Sequence, residues 1–197
     1  MMTASTATRD RILDAALQLF GEHGFRGTSV AAIERAAGLT PGAGGLYHHF
    51  RTKEAVLTEA LERHVGRLGA LRDIRRLFAG VQDLEVELTL IARYVLAELE
   101  AEHDLVQVLV LESRQRPDLV GQTVERLVAS SVTEFAAWLV QDWGAPAEQA
   151  RATAALALAS LFSHRLISPT VLSTEEFVTS WVATFGSALS AGSRSPL

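Results

Sequence analysis

The chain has 197 residues, of which 48% are hydrophobic and 21% charged, enough to bury a core and to allow one or two domains. It holds no cysteine, which excludes disulfides, zinc–thiolate sites and cysteine nucleophiles and suits a reducing, cytoplasmic setting. The net charge of −5 divides unevenly, with +1 on residues 1–55 and −6 on the rest: the asymmetry of a nucleic-acid head on an acidic body, or of ordinary solvated surface.

The first residues, MMTASTATRDR, hold no apolar stretch of the kind a signal peptide needs. A first helix is expected from about Thr8 to His23, where Ile12, Leu13, Ala16, Leu17 and Phe20 form one apolar stripe and Gly24 stops it. Thr28 is the expected N-cap of a short second helix carrying Val30, Ile33 and Ala37, which Gly38 ends in the left-handed region. Thr40 is expected to cap a third helix, with Pro41 in its first position and Leu46 and Phe50 turned inward. Gly42, Gly44 and Gly45 weaken its start, either to let a duplex approach the backbone or as a longer turn before a helix beginning near Gly44. Thr52 then caps a long helix running through Val56, Leu57 and Leu61 toward Phe78 and Gly80.

Further helices are expected from Asp83 to about Glu102, from Asp104 to Arg114, and from Pro117 to the break at Gly144 and Pro146. Ala147 to Ile167 is rich in small residues and apolar on more than one face. Its nearly apolar core, Ala152 to Phe162, is too short to span a bilayer, so membrane insertion is not expected. Ser173 with Glu176 reads as a capping box opening a last helix with Phe177, Trp181, Phe185 and Leu189 at every fourth position. The fold class is all-α, about nine helices in total: an N-terminal three-helix helix-turn-helix head (residues 1–51) and a C-terminal helical bundle (residues 52–197).

The stretch Thr28 to Leu57 resembles the tetracycline-repressor (TetR) family of one-component bacterial transcription regulators. The resemblance rests on Thr28-Ser29-Val30, Ile33, Ala36-Ala37-Gly38-Leu39, Leu46-Tyr47-His48-His49-Phe50 and Lys53-Glu54-Ala55. Upstream, Ile12 to Ala16, Leu19-Phe20 and Gly24-Phe25 look like the family's first helix and its exit. Eight residues separate Gly38 from Tyr47, two more than in the family's most familiar spacing. The resemblance implies a regulator, a repressor released from its operator by a small-molecule effector. It also implies a homodimer through Ala147 to Ile167 and Ser173 to Leu189, the lesser alternative being that those two helices only complete the monomer's own core.

Residues expected to contact double-stranded DNA are Thr28, Thr40, Ala43, Tyr47, His48, His49 and Lys53, the chain's one lysine. Thr28 and Thr40 are helix caps beside free amides, and the resemblance sets Tyr47 against the DNA backbone, with packing on the head's own core as the rival. His48 and His49 point about 100° apart, so one is expected to touch DNA and the other to pack. No arginine, lysine, asparagine or glutamine lies between Thr40 and Phe50, so direct base readout should be thin. Phe78, Tyr94, His103, Glu112, Trp138 and Trp143 could line an effector pocket or be plain core or surface. No cofactor or metal is expected, and neither is catalysis: Glu100 and His103 make a single Glu-x-x-His, half of what di-iron chemistry requires. The rivals are an all-α small-molecule carrier or enzyme without DNA binding, and a helix-turn-helix protein of another family.

Overall fold

The computed structural model describes residues 4–65, 81, 83–167 and 171–192. Among the described residues there is no strand. The helices are α1 (Ala4–Gly27), α2 (Val30–Ala36), a 3-10 turn (Leu46–His48), α3 (Lys53–Val65), α4 (Leu84–Ala101), α5 (His103–Gln115), α6 (Pro117–Trp143), α7 (Ala147–Ile167) and α8 (Thr174–Gly192). Among the described residues eight α-helices thus stand where about nine were expected, and no α-helix stands between Thr40 and Phe50, where one was expected. The chain divides into two compact units, one of residues 1–67 and 102–127 and the other of residues 68–101 and 128–197.

In the first unit α1 packs against α2, α3 and α5. The expected stripe is its core: Ile12, Leu13, Ala16, Leu17 and Phe20 are buried together with Val56, Leu57, Ala60 and Leu61 of α3 and Leu105, Val108 and Leu109 of α5. Burying a side chain the size of Phe20 is worth about 2 kcal/mol. The helix bends at Gly24 (φ 70, ψ 164), the expected stop, and adds one further turn to Gly27. His64 is buried here, its Nδ1 2.6 Å from Glu102 Oε2 and its Nε2 3.4 Å from Asp14 Oδ1.

In the second unit α4 packs against α7 and α8. Leu88, Ile91 and Leu96 of α4 share one core with Phe135, Trp138 and Leu139 of α6, Ala154, Ala157 and Leu161 of α7, and Val178, Trp181 and Val182 of α8. The Trp181 indole donates to the Ala157 carbonyl (3.1 Å) and the Ser160 hydroxyl (3.0 Å), pinning α8 to α7. Three helix starts are capped where the sequence placed them: Ala55 N–H donates to Thr52 Oγ1, Glu85 and Val86 N–H to Asp83 Oδ1, and Ser173 and Glu176 form the capping box. The opposite face of α7 stays bare: Ala152, Ala155, Leu156 and Ala159 are exposed, Leu156 by 66%. No helix among the described residues is long and apolar enough to cross a membrane.

Candidate nucleic-acid interface

The cap of α2 falls one residue later than the sequence suggested. Ser29 Oγ accepts the Ala32 N–H at 3.1 Å, whereas Thr28 is buried, its hydroxyl 2.9 Å from the carbonyls of both Leu19 and Gly24. Thr28 therefore seals the end of α1 from inside, because the bend at Gly24 leaves carbonyls that its short side chain can reach. Ser29 keeps the exposed capping position.

After α2 the backbone turns through Gly38 (φ 73) as expected, but no α-helix follows Thr40. Gly42 and Gly44 sit in the left-handed region (φ 79 and 75), which interrupts the helical ladder. The segment carries an Ala43 N–H to Thr40 carbonyl bond (3.3 Å), a Tyr47 to Gly44 bond (3.0 Å), and the Leu46 carbonyl accepting from both His49 N–H (2.9 Å) and, as one helical closure, Phe50 N–H (3.0 Å). Thr40 thus opens a turn, and the alternative of a longer turn describes the segment better than a rod.

Glu34 holds this turn together. Its side chain is fully buried; Oε2 accepts the Gly42 N–H at 2.7 Å and Oε1 the Leu46 N–H at 3.1 Å. The amides of Leu46, Gly42 and Gly45 stabilise the ionised form, and they hold the carboxyl below the ordinary range against the opposing effect of burial. Sequence reading missed this residue. The available signal was a charge on the same helical face as Val30, Ile33 and Ala37.

Around that frame, Leu46 and Phe50 are buried anchors as expected. Tyr47 is 56% exposed, Thr40, Ala43 and His48 are exposed, and His49 is half-buried with its ring 6.5 Å from that of Phe50. The exposed residues form one short run of chain, with Arg51 exposed just beyond it.

Residues 12–60 match the family described as "Bacterial regulatory proteins, tetR family". Over 142 residues, 72% of this chain and 69% of the relative, the sequence is 30% identical to the HTH-type transcriptional regulator UidR of Escherichia coli (strain K12). The chain belongs to the TetR family. It is a DNA-binding transcriptional regulator. The HTH-type transcriptional repressor KstR2 of Rhodococcus jostii is 40% identical over 73 residues, 36% of this chain and 35% of that one. A solved TetR-family structure from Mesorhizobium loti has the same fold, with a TM-score of 0.73 and 20% identity over 96% of this chain and 98% of that one.

In this TetR-family regulator the expected basic contact, Lys53, is turned inward. Its ammonium donates to the carbonyls of Phe25 (2.7 Å) and Thr28 (2.8 Å) and lies 4.2 Å from the centre of the Phe25 ring, and burial lowers its pKa. Arg116 covers the same ring at 4.1 Å and pairs with Glu54. The Phe25 N–H donates to Glu112 Oε1 at 2.8 Å, so this carboxylate, a pocket candidate that could as well be core, latches α5 to the α1 bend; its Oε2 is buried without a hydrogen-bond partner. Arg9 is likewise engaged, with Glu59 and the Phe50 ring. The exposed arginines of the head that follow α1's bend are Arg26, Arg35 and Arg51.

The other pocket candidates fall in different parts of the chain. His103 is exposed and belongs to the first unit. In the second, Trp138 is buried, stacked on Phe135 at 5.2 Å; its indole and that of Trp143 donate to Glu87 at 3.2 and 3.3 Å, and Tyr94 packs on the same core. Phe78 lies outside the described residues. Among the described residues no group of three His, Cys, Asp or Glu could hold a metal ion, and Glu100 pairs with Arg165.

Proposed function

We propose that this TetR-family regulator is a cytoplasmic repressor. Thr40, Ala43, Tyr47, His48 and His49 meet the major groove, and a small, mainly apolar molecule bound in the body releases it. The observation that carries the reading is Tyr47, a large aromatic left 56% exposed between two fully anchored neighbours, Leu46 and Phe50. It stands on the surface of the head, and a phenol four residues before exposed Arg51 suits a phosphate. Residues 1–51 act as the head and residues 52–197 as the effector and dimer domain. Thr28 and Lys53 serve binding indirectly, by bracing the head.

The bare face of α7 at Ala152, Ala155, Leu156 and Ala159, which a second copy would cover, supports a homodimer through α7 and α8. Two heads then read half-sites about 34 Å apart or a multiple of it. The effector must favour the arrangement that does not bind DNA, so DNA weakens effector binding by the same factor.

Selection of duplexes from a random library by the full chain tests the reading. Wild type should enrich a two-fold site, and Tyr47→Ala should lose affinity for it. Failure to enrich any sequence over random DNA at physiological salt would overturn it. Arg51→Ala should lower the salt-dependence slope by about 1. Lys53→Met should weaken binding with the slope unchanged; a fall of about 1 would instead mark Lys53 as a phosphate contact.

A further inference from the structure

The recognition segment lacks the side chains that fork onto base edges, so it offers a groove chiefly a backbone contour with Ala43, Tyr47 and His48 set on it. A contour can discriminate only if it is held. Between Thr40 and Leu46 the chain has no helical ladder, and two of its residues are glycines in the left-handed region. Free rotation there would blur whatever shape the groove meets.

One side chain closes the segment. Glu34 projects from α2 into the space beneath the turn, is fully buried, and bonds amides eight and twelve residues ahead of it, at both ends of the glycine stretch. A Cβ on Gly45 would lie 3.3 Å from Leu39 Cδ1 and 3.8 Å from Glu34 Oε1, so the carboxylate and the turn are in close contact. We propose that Glu34 is a positioning residue for operator recognition: its carboxylate fixes the turn in the one contour that presents Ala43, Tyr47 and His48 to the groove. The proposal rests on the reading that this segment enters the groove. The Gly42 and Leu46 amides are spent on an internal anion, so the turn is not a backbone clamp for phosphate and Glu34 never touches DNA.

A purely structural carboxylate would affect folding and leave discrimination alone, so the readout is a ratio. The full chain is titrated with a duplex that the wild type selects from a random library and with a random duplex of equal length. Glu34→Gln keeps the size of the side chain but sets an NH2 donor against a backbone donor, and Glu34→Asp keeps the charge but falls a methylene short. Both should lower the selected-to-random affinity ratio by about 10- to 100-fold. Random-DNA affinity should change by less than about twofold, because it depends on surface arginines. A ratio that stays at the wild-type value in both variants overturns the proposal.

Should the variants fail to fold, the wild type decides by NMR. The amide protons of Gly42 and Leu46 should titrate together, at a pH below the ordinary carboxylate range; amides that ignore the titration overturn the proposal. If Tyr47→Ala and His48→Ala leave the ratio untouched, the groove reading itself is wrong and the positioning role falls with it. That result is distinct from a Glu34 failure in which those two variants do lose the ratio.

Discussion

The start of α8 and the recognition turn both tie down backbone amides with a glutamate, but at very different reach. At α8 the carboxylate of Glu176 accepts the Ser173 N–H at 2.9 Å, three residues away, in an exposed capping box. In the head Glu34 reaches eight and twelve residues, and Glu112 reaches 87, from α5 to the Phe25 amide. A cap three residues away forms whenever its own helix forms. A carboxylate that spans elements fixes how those elements sit, and its removal is felt as lost geometry as well as lost stability.

The sharpest way to break this contrast is Glu112→Ala. It leaves a buried N–H beside the Gly24 bend without an acceptor, and should cost about 2–3 kcal/mol in denaturant unfolding together with a loss of operator affinity. An unmoved midpoint would mean that the latch is not made in solution. Ser173→Ala removes only a local cap, so it should cost about 1 kcal/mol and leave operator affinity per folded dimer intact.

The smallest effect should come with acid. His164 is stacked on Phe177 with ring centroids 4.0 Å apart, and burial depresses its pKa below the ordinary 6.5. The unfolded chain then binds the proton more readily than the folded one. Stability should therefore slip as pH falls through 6.5 and level off below the folded value. His164→Phe should flatten that slope in thermal melts, and a slope that persists would assign it to another group. Glu34 works in the same direction but lower: its contribution is complete above the ordinary carboxylate value and is lost only as pH drops through its depressed one.

What the sequence made legible follows the same division. The α1 stripe, the α6 start at Pro117, the Gly144 break and the Ser173 box are all written within a few adjacent residues, and each lies where it was expected. The cap of α2 slipped by one residue because Thr28 found acceptors nine and four residues back, which no local rule weighs against Ser29. Glu34 read as an ordinary charge, Glu112 as a pocket candidate and Lys53 as a DNA contact, since their partners are backbone groups brought near only by the finished fold. The recognition segment was recognisable through Leu46-Tyr47 and Phe50. Its conformation was not, because two left-handed glycines obey no helical period.

Those two glycines also bear on how operator preference can diverge between lineages. Around Gly42 and Gly44 there is open space, with nothing within 4 Å of an added Cβ, yet their φ values of 79 and 75 disfavour every L side chain. New base contacts are therefore hard to acquire at either position, even where room exists. If the segment meets DNA as proposed, drift in target choice is channelled to Thr40, Ala43, Tyr47, His48 and His49, a short alphabet of positions on a contour that stays the same.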